Sequence, residues 1–277
     1  MLNLAANLSF MFGEVDFLDR FKVAAASGFR SVEYMFPYDY DAIQLRETLD
    51  EHHLTQILFN LPAGNWATGE RGIACHPNRV AEFRDGVARA LEYARVLECT
   101  RVNCLAGIVP PGVDDAAWRD TLVSNLRFAA QRFESAGITL LVESINTSDV
   151  PGFALHRTRQ AIDVCAAVAS VNLLLQYDVY HMQRMGEDVV GTISRELSSI
   201  GHIQIADVPG RHEPGTGSID FVAVFEVLEK LGYSGWIGCE YTPAGRTSDG
   251  LRWLTQYRQT IGGVSRSPTN RADEDLV

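Results

Sequence analysis

Lysine is almost absent from this 277-residue chain: Lys22 and Lys230 are its only two. Both fall in stretches with helical periodicity rather than at strand ends. A Schiff-base mechanism, which needs a desolvated active-site lysine, is therefore disfavoured. Cysteine is scarce too. Cys75, Cys99, Cys104, Cys165 and Cys239 are odd in number and show neither C-x-x-C spacing nor a disulfide framework. No apolar run is long enough to cross a bilayer, so no membrane partner is expected. A basic surface is also missing. The formal net charge of −11 opposes the clustered Lys and Arg that nucleic-acid binding requires, and no nucleic-acid partner is expected. The N-terminal MLNLAANLSF lacks a basic leader, and Asn3 and Asn7 interrupt its apolar residues, which predicts a cytoplasmic protein. Nothing in the sequence opposes a homo-oligomer.

What is present is a regular alternation of short β-like runs and longer amphipathic stretches, the pattern of a parallel sheet with crossover helices. The runs predict strands over Leu2–Ala6, Ser31–Tyr34, Gln56–Leu61, Arg101–Leu105, Thr139–Glu143, Asn172–Asp178, His202–Ala206 and Trp236–Tyr241. Helices are predicted over Val15–Ala26, Tyr40–His52, Val80–Leu97, Trp118–Ser135, Thr158–Ala169 and Phe221–Leu231. In Val80–Leu97 the apolar Val80, Phe83, Val87, Leu91 and Ala94 recur at three- and four-residue steps, forming one stripe. Gly28, Gly137 and Gly232 follow helices shortly before strands, where a left-handed cap turns the chain. No composition shift marks a boundary, so residues 1–261 read as a single α/β domain and Gly262–Val277 as a mobile tail. Eight βα units in about 250 residues fit a (β/α)₈ barrel, with a doubly wound open sheet as the competitor.

Four runs in the second half end on oxygen-bearing side chains: ITLLVE at Glu143, VNLLLQYD at Asp178, IGHIQ at Gln204 and GWIGCE at Glu240. Their separations of 35, 26 and 36 residues are each close to one βα unit, so a barrel aims all four at one mouth, whereas an open sheet spreads them along a line. Taken alone, a carboxylate after a strand is more often a helix cap or a solvated loop residue. Together they suit a hard divalent cation such as Mg²⁺ or Mn²⁺, which prefers carboxylate and amide oxygens to thiolates. A cation would also offset the cost of burying them.

The segments AANLSFMF, EYMFPYDY, NLPAGNWATGERGIACHP, NTSDVPGF, QYDVYHMQRM, HIQIADVPGRHEPGTGSID and GWIGCEY, in this order from about Leu2 to Trp253, resemble the hydroxypyruvate isomerase family of xylose-isomerase-like TIM barrels. The resemblance implies a metal held by Glu143, Asp178, Gln204 and Glu240, with Glu143 and Glu240 as the acid/base pair. It implies interconversion of hydroxypyruvate and tartronate semialdehyde, so that the partner is a small hydroxy-oxo acid. Moving a proton between adjacent carbons passes through an enediolate, whose charge a divalent cation stabilises.

Further candidates surround these four. His181 matches a substrate-contacting histidine of the related sugar epimerases. Arg211 lies in VPGRHEPGTG after the seventh strand, where an arginine can clamp a carboxylate. Asp149 stands where those epimerases use a glutamate on a sugar hydroxyl. Arg71 lies in GNWATGERGIACHP, a long connection that reads as a lid. A ketose 3-epimerase or 2-oxo-tetronate isomerase would use the same metal and glutamates on a longer substrate. An endonuclease of this fold is opposed by the acidic charge and the lack of an extra His-rich ligand set. A non-catalytic sugar-binding barrel would require loss of one of the two glutamates.

Overall fold

The computed structural model describes residues 2–260, so the stretch 262–277, read as a tail, lies outside the described residues. Eight parallel strands close into a barrel in chain order: β1 Asn3–Asn7, β2 Ser31–Glu33, β3 Thr55–Asn60, β4 Arg101–Cys104, β5 Thr139–Glu143, β6 Leu173–Asp178, β7 Ile200–Ile205 and β8 Trp236–Cys239. The closing pair sets Asn3 opposite Trp236 and Ala6 opposite Cys239. All eight anticipated strands are present, and the open sheet is excluded.

The outer ring forms where polar caps meet apolar stripes. Helix α1 (Phe17–Ala26) buries Phe21 and Ala24. Helix α2 (Ala42–Glu51) starts where the Asp41 carboxylate accepts from the backbone N–H of Ile43 and Gln44, occupying donors that the first turn leaves unpaired. Helix α3 (Val80–Val96) buries Phe83, Val87, Ala90, Leu91 and Ala94, the stripe its periodicity predicts. Helices α4 (Asp115–Glu134) and α5 (Thr158–Val168) follow β4 and β5. The β6–β7 connection holds two short helices that the sequence reading did not anticipate, α6 (Val179–Arg184) and α7 (Val189–Glu196). Helix α8 (Phe221–Lys230) follows β7. After β8 come α9 (Thr247–Gly250) and α10 (Arg252–Thr260), likewise unanticipated. Gly28, Gly137 and Gly232 have positive φ, as their places after helices require. Among the described residues no helix is long and apolar enough to cross a membrane.

The barrel interior is layered. Ala5, Ile57, Leu58 and Leu141, with Leu174 and Trp236 against them, form an apolar cluster distinct from the large core between sheet and helices. Two residues further along β1, β5 and β6, the inward positions change character. Asn7, Glu143 and Gln176 stand there, because side chains on a strand repeat by face every second residue. The apolar plug thus closes one end of the barrel, and a polar layer leads towards the carboxyl ends of the strands.

Candidate active site

Glu143 ends β5 and Asp178 ends β6, Gln204 is the penultimate residue of β7, and Glu240 directly follows β8. All four are buried at the C-terminal mouth of the barrel. Register puts Asp178 opposite Gln204 and Glu143 opposite Gln176. Gln176 accordingly bridges two of the four, donating from Nε2 to Glu143 Oε2 at 3.0 Å and to Gln204 Oε1 at 2.6 Å. Gln204 Nε2 in turn donates to Glu240 Oε2. Asn103 Nδ2 adds a second donor to Glu143 Oε2 at 3.1 Å. Each glutamate therefore has one oxygen tied to amides. Its other oxygen is directed elsewhere: Glu143 Oε1 lies 3.9 Å from His181 Nε2, and Glu240 Oε1 accepts from Arg211 at 2.6 Å.

Asp178 serves two purposes. Its Oδ1 accepts from Tyr180 N–H at 2.8 Å and starts α6, while Oδ2 faces His181 Nε2 and Arg211, each at 3.5 Å. The helix-cap reading and the ligand reading of this residue thus apply to different oxygens.

Crowding of carboxylates away from water sets the electrostatics. Burial first, and then the negative charge of Asp178, push Glu143 up to about 8. Burial also raises Asp178 and lifts Glu240 well above the carboxylate range, with Arg211 opposing both shifts. Burial alone would lower Arg211, but Glu240, Asp178 and Glu143 together hold it above its ordinary value.

Burial and then the positive charges of Arg211 and Arg184 drive His181 well below the usual histidine range, so it is neutral. Its tautomer follows from its neighbours. Asn146 Oδ1 accepts from the backbone N–H of Ser148 and Asp149, which fixes its NH₂ towards His181 Nδ1 at 2.7 Å. Nδ1 is then an acceptor, and Nε2 carries the proton into the mouth. Donor atoms of Glu143, Asp178 and His181 lie within 4.8 Å of one another. Because His181 offers an N–H rather than a lone pair there, it suits a substrate oxygen better than a cation.

Arg211 reaches the mouth, its guanidinium carbon 4.8 Å from the Phe10 ring and 5.0 Å from that of Tyr180. Its backbone has φ +54°, a left-handed conformation uncommon outside glycine. The surrounding loop enforces it: Arg211 N–H bonds to Asp207 O, and the Asp207 carboxylate accepts from the N–H groups of Gly215, Gly217 and Ile219. The GTG stretch is thus a turn scaffold.

Two candidates are placed elsewhere. Arg71 bonds the carbonyls of Trp66 and Glu70 and stacks on the Trp66 ring at 3.9 Å, so its contacts among the described residues lie in its own loop. The Glu70 carboxylate pairs with Arg79, not with Arg71. Nor is that connection a free lid along its length: Ile73, Ala74 and Cys75 are buried, and Cys75 N–H bonds to Ala106 O. Asp149 accepts from Asn146 Nδ2 at 2.9 Å and from Tyr180 Oη at 2.8 Å, and it supports the residue that orients His181. Conversely, Asn7, Glu33, Asn103, Asn146 and Gln176 belong to the site and were not singled out by sequence. Glu33 was within reach of the same rule, since RSVE is also a strand ending on a carboxylate.

The group fits a divalent cation. Three carboxylates strained by mutual repulsion and burial, with one arginine to offset them, leave an excess of negative charge that a hard cation would neutralise. Glu143, Asp178, Gln204 and Glu240 are the residues that would hold it.

A family model described as xylose isomerase-like TIM barrel matches residues 21–257. Hydroxypyruvate isomerase of Escherichia coli (strain K12) is 52% identical over 258 residues, covering 93% of this chain and 100% of that protein. A 2-oxo-tetronate isomerase of Cupriavidus necator is 49% identical over 257 residues, covering 93% and 99%. Among solved structures, one described as an AP endonuclease of family 2 from Brucella melitensis superimposes with a TM-score of 0.90 at 45% identity, covering 93% of this chain and 99% of the other.

Proposed function

The chain belongs to the xylose isomerase-like TIM-barrel family, and we propose that it is an isomerase interconverting hydroxypyruvate and tartronate semialdehyde by proton transfer between adjacent carbons. The single observation that carries this reading is the pair Glu143 and Glu240. Each is anchored through one oxygen, and burial raises each above the ordinary carboxylate value, Glu143 to about 8, which favours a carboxyl that exchanges protons. The name endonuclease borne by the Brucella structure is not carried over, because a chain of net charge −11 lacks the basic surface that DNA demands.

A divalent cation bound at this mouth, Mg²⁺ or Mn²⁺ by the hardness of its donors, supplies Lewis-acid polarisation of the substrate's neighbouring oxygens. The chain's residues do the rest. One glutamate removes a proton from the hydroxymethyl carbon, leaving an enediolate, the other delivers a proton to the former carbonyl carbon, and the hydroxyl proton passes from the hydroxymethyl oxygen to the former carbonyl oxygen. His181 Nε2–H donates to the oxygen on which charge develops, and Arg211 holds the non-reacting carboxylate. Supporting the last role, Arg211 is the arginine already directed at the acidic cluster, with its Nε buried and unpartnered.

Metal-replete assays with hydroxypyruvate, a 2-oxo-tetronate and free ketoses test the substrate. We expect the highest kcat/KM for hydroxypyruvate. A clear preference for the four-carbon acid would move the assignment to 2-oxo-tetronate isomerase, whose named relatives are nearly as similar.

The two arginines should separate. Arg211→Ala removes a charge-assisted hydrogen bond worth about 1.5–3 kcal/mol, so KM for hydroxypyruvate should rise roughly ten- to hundredfold, with a smaller fall in kcat. Arg71→Ala should leave KM within about twofold, because its partners are in its own loop. An unchanged KM in Arg211→Ala would remove Arg211 from substrate binding.

A further inference from the structure

The polar layer holds a fourth carboxylate that the proposed chemistry does not use. Glu33, the last residue of β2, is 1% exposed. It extends across the barrel to β1, β7 and β8. Its Oε1 accepts from Asn7 Nδ2 at 2.9 Å and from Gln204 Nε2 at 2.8 Å. Its Oε2 lies 2.8 Å from His202 Nε2, out of line for a hydrogen bond. The opposite wall is shaped to admit it: a Cβ on Gly238 would fall 2.2–2.4 Å from the Glu33 carboxylate.

The same two amides also hold Glu240. Asn7 Nδ2 donates to Glu240 Oε2 at 3.0 Å, and Gln204 Nε2 donates to that same oxygen. Two carboxylates and two amide groups therefore close a ring in which each NH₂ spends one hydrogen on Glu33 and one on Glu240. Neither amide is free to turn over. Asn7 Oδ1 is already occupied by Ser9 N–H at 3.0 Å, and reversing Gln204 would set its carbonyl oxygen against two carboxylates. Gln204 Oε1 must then lie on the far side, towards Gln176 and Glu143. A carbonyl oxygen has two lone pairs, and Gln176 uses one.

We propose that Glu33 is a positioning residue of the metal site: it fixes the Gln204 amide with its oxygen towards the cation and, through Asn7, holds Glu240 in place, without itself touching metal or substrate. This rests on the reading of Gln204 and Glu240 as ligands. Partners that orient metal ligands typically contribute about 10–100-fold in metal affinity. Removing the Glu33 acceptor should have an effect of that size, whereas a residue that merely fills space would change stability alone.

The test is Mn²⁺ binding to the metal-stripped full-length protein, by calorimetry or by the EPR signal of free Mn²⁺, with no substrate present. Glu33→Leu keeps bulk but accepts no hydrogen bond, and its Kd should rise about tenfold or more. Glu33→Gln keeps one carbonyl oxygen for the two amides and should recover most of the affinity. Gly238→Ala retains the carboxylate but displaces it, and should weaken binding as Glu33→Leu does. Asp178→Ala, which removes a proposed ligand, is the control. If Asp178→Ala weakens binding while folded Glu33→Leu stays within about twofold of the parent, the positioning role is overturned and the ligand reading stands. If neither variant weakens binding, the ligand reading fails and the inference with it. Should Glu33→Leu not fold, Gly238→Ala decides: normal Kd overturns the proposal, and a rise of about tenfold supports it.

Discussion

Glu143→Gln and Glu240→Gln should each lower kcat by at least about two decades at saturating Mn²⁺, because general acid–base catalysis typically contributes about 10²–10⁴-fold. An amide cannot shuttle a proton, but it keeps one carbonyl oxygen, and the hydrogen bonds say where that oxygen goes. In Glu143→Gln it is claimed by Asn103 and Gln176, which both donate to Oε2 of the native residue. In Glu240→Gln it is claimed by Asn7 and Gln204, which turns the new NH₂ towards Arg211. Metal affinity should fall in each variant, so kcat must be read at saturation and Mn²⁺ binding measured separately. Reaction in D₂O adds an independent readout. Deuterium at carbon in the product supports the enediolate, since a hydride shift would carry substrate hydrogen directly between carbons. A shielded carboxylate can return the same proton, so retention of hydrogen is decisive only in combination: retention together with near-normal kcat in both Gln variants would sink the two-glutamate scheme.

The strands were legible because each is a short apolar run set off by a turn or cap, and the four mouth residues because each breaks such a run at its end. Asp178 shows why position alone did not settle function: one carboxylate both caps α6 and faces the mouth, so the two readings never competed. Other parts of the site left weaker traces. Helices α6 and α7 span six and eight residues, too short for 3.6-residue periodicity to emerge. Arg71 and Arg211 look equivalent in sequence, each an arginine in a long loop on the active face. What separates them is three-dimensional: a Trp66 ring captures one, and a backbone at φ +54° presents the other. Asp149 is linked to His181 through Asn146, a connection that no sequence spacing announces. Gln176 and Glu33 were readable in principle, one by its two-residue offset from Asp178 and the other as a strand-terminal carboxylate. Their meaning depends on which amide faces which oxygen across the barrel, and no spacing rule encodes that.

Metal affinity should rise with pH, by at least about tenfold per unit between roughly pH 6 and pH 8. Glu143 contributes a proton to this dependence, and Glu240, which burial also raises, adds to it. Burial, reinforced by the charge on Asp178, raises Glu143 from 4.5 to about 8 in the metal-free protein, so at neutral pH the fold retains a proton that the unfolded chain has released. The sign for stability follows. The contribution of this group is complete below pH 4.5 and is lost as pH rises towards 8, where the carboxylate must ionise in a buried site beside Asp178. A cation requires that carboxylate bare, and therefore competes with the proton below pH 8 and relieves the penalty above it. Metal-free protein should thus show a Tm that falls across this window, while saturating Mn²⁺ flattens the decline. Binding in weak buffer at pH 7 should acidify the solution, and Glu143→Gln should shallow the pH slope. Mn²⁺ affinity that is constant between pH 6 and 8, with no proton released, would remove Glu143 from the ligand set and leave its raised pKa to acid–base chemistry alone.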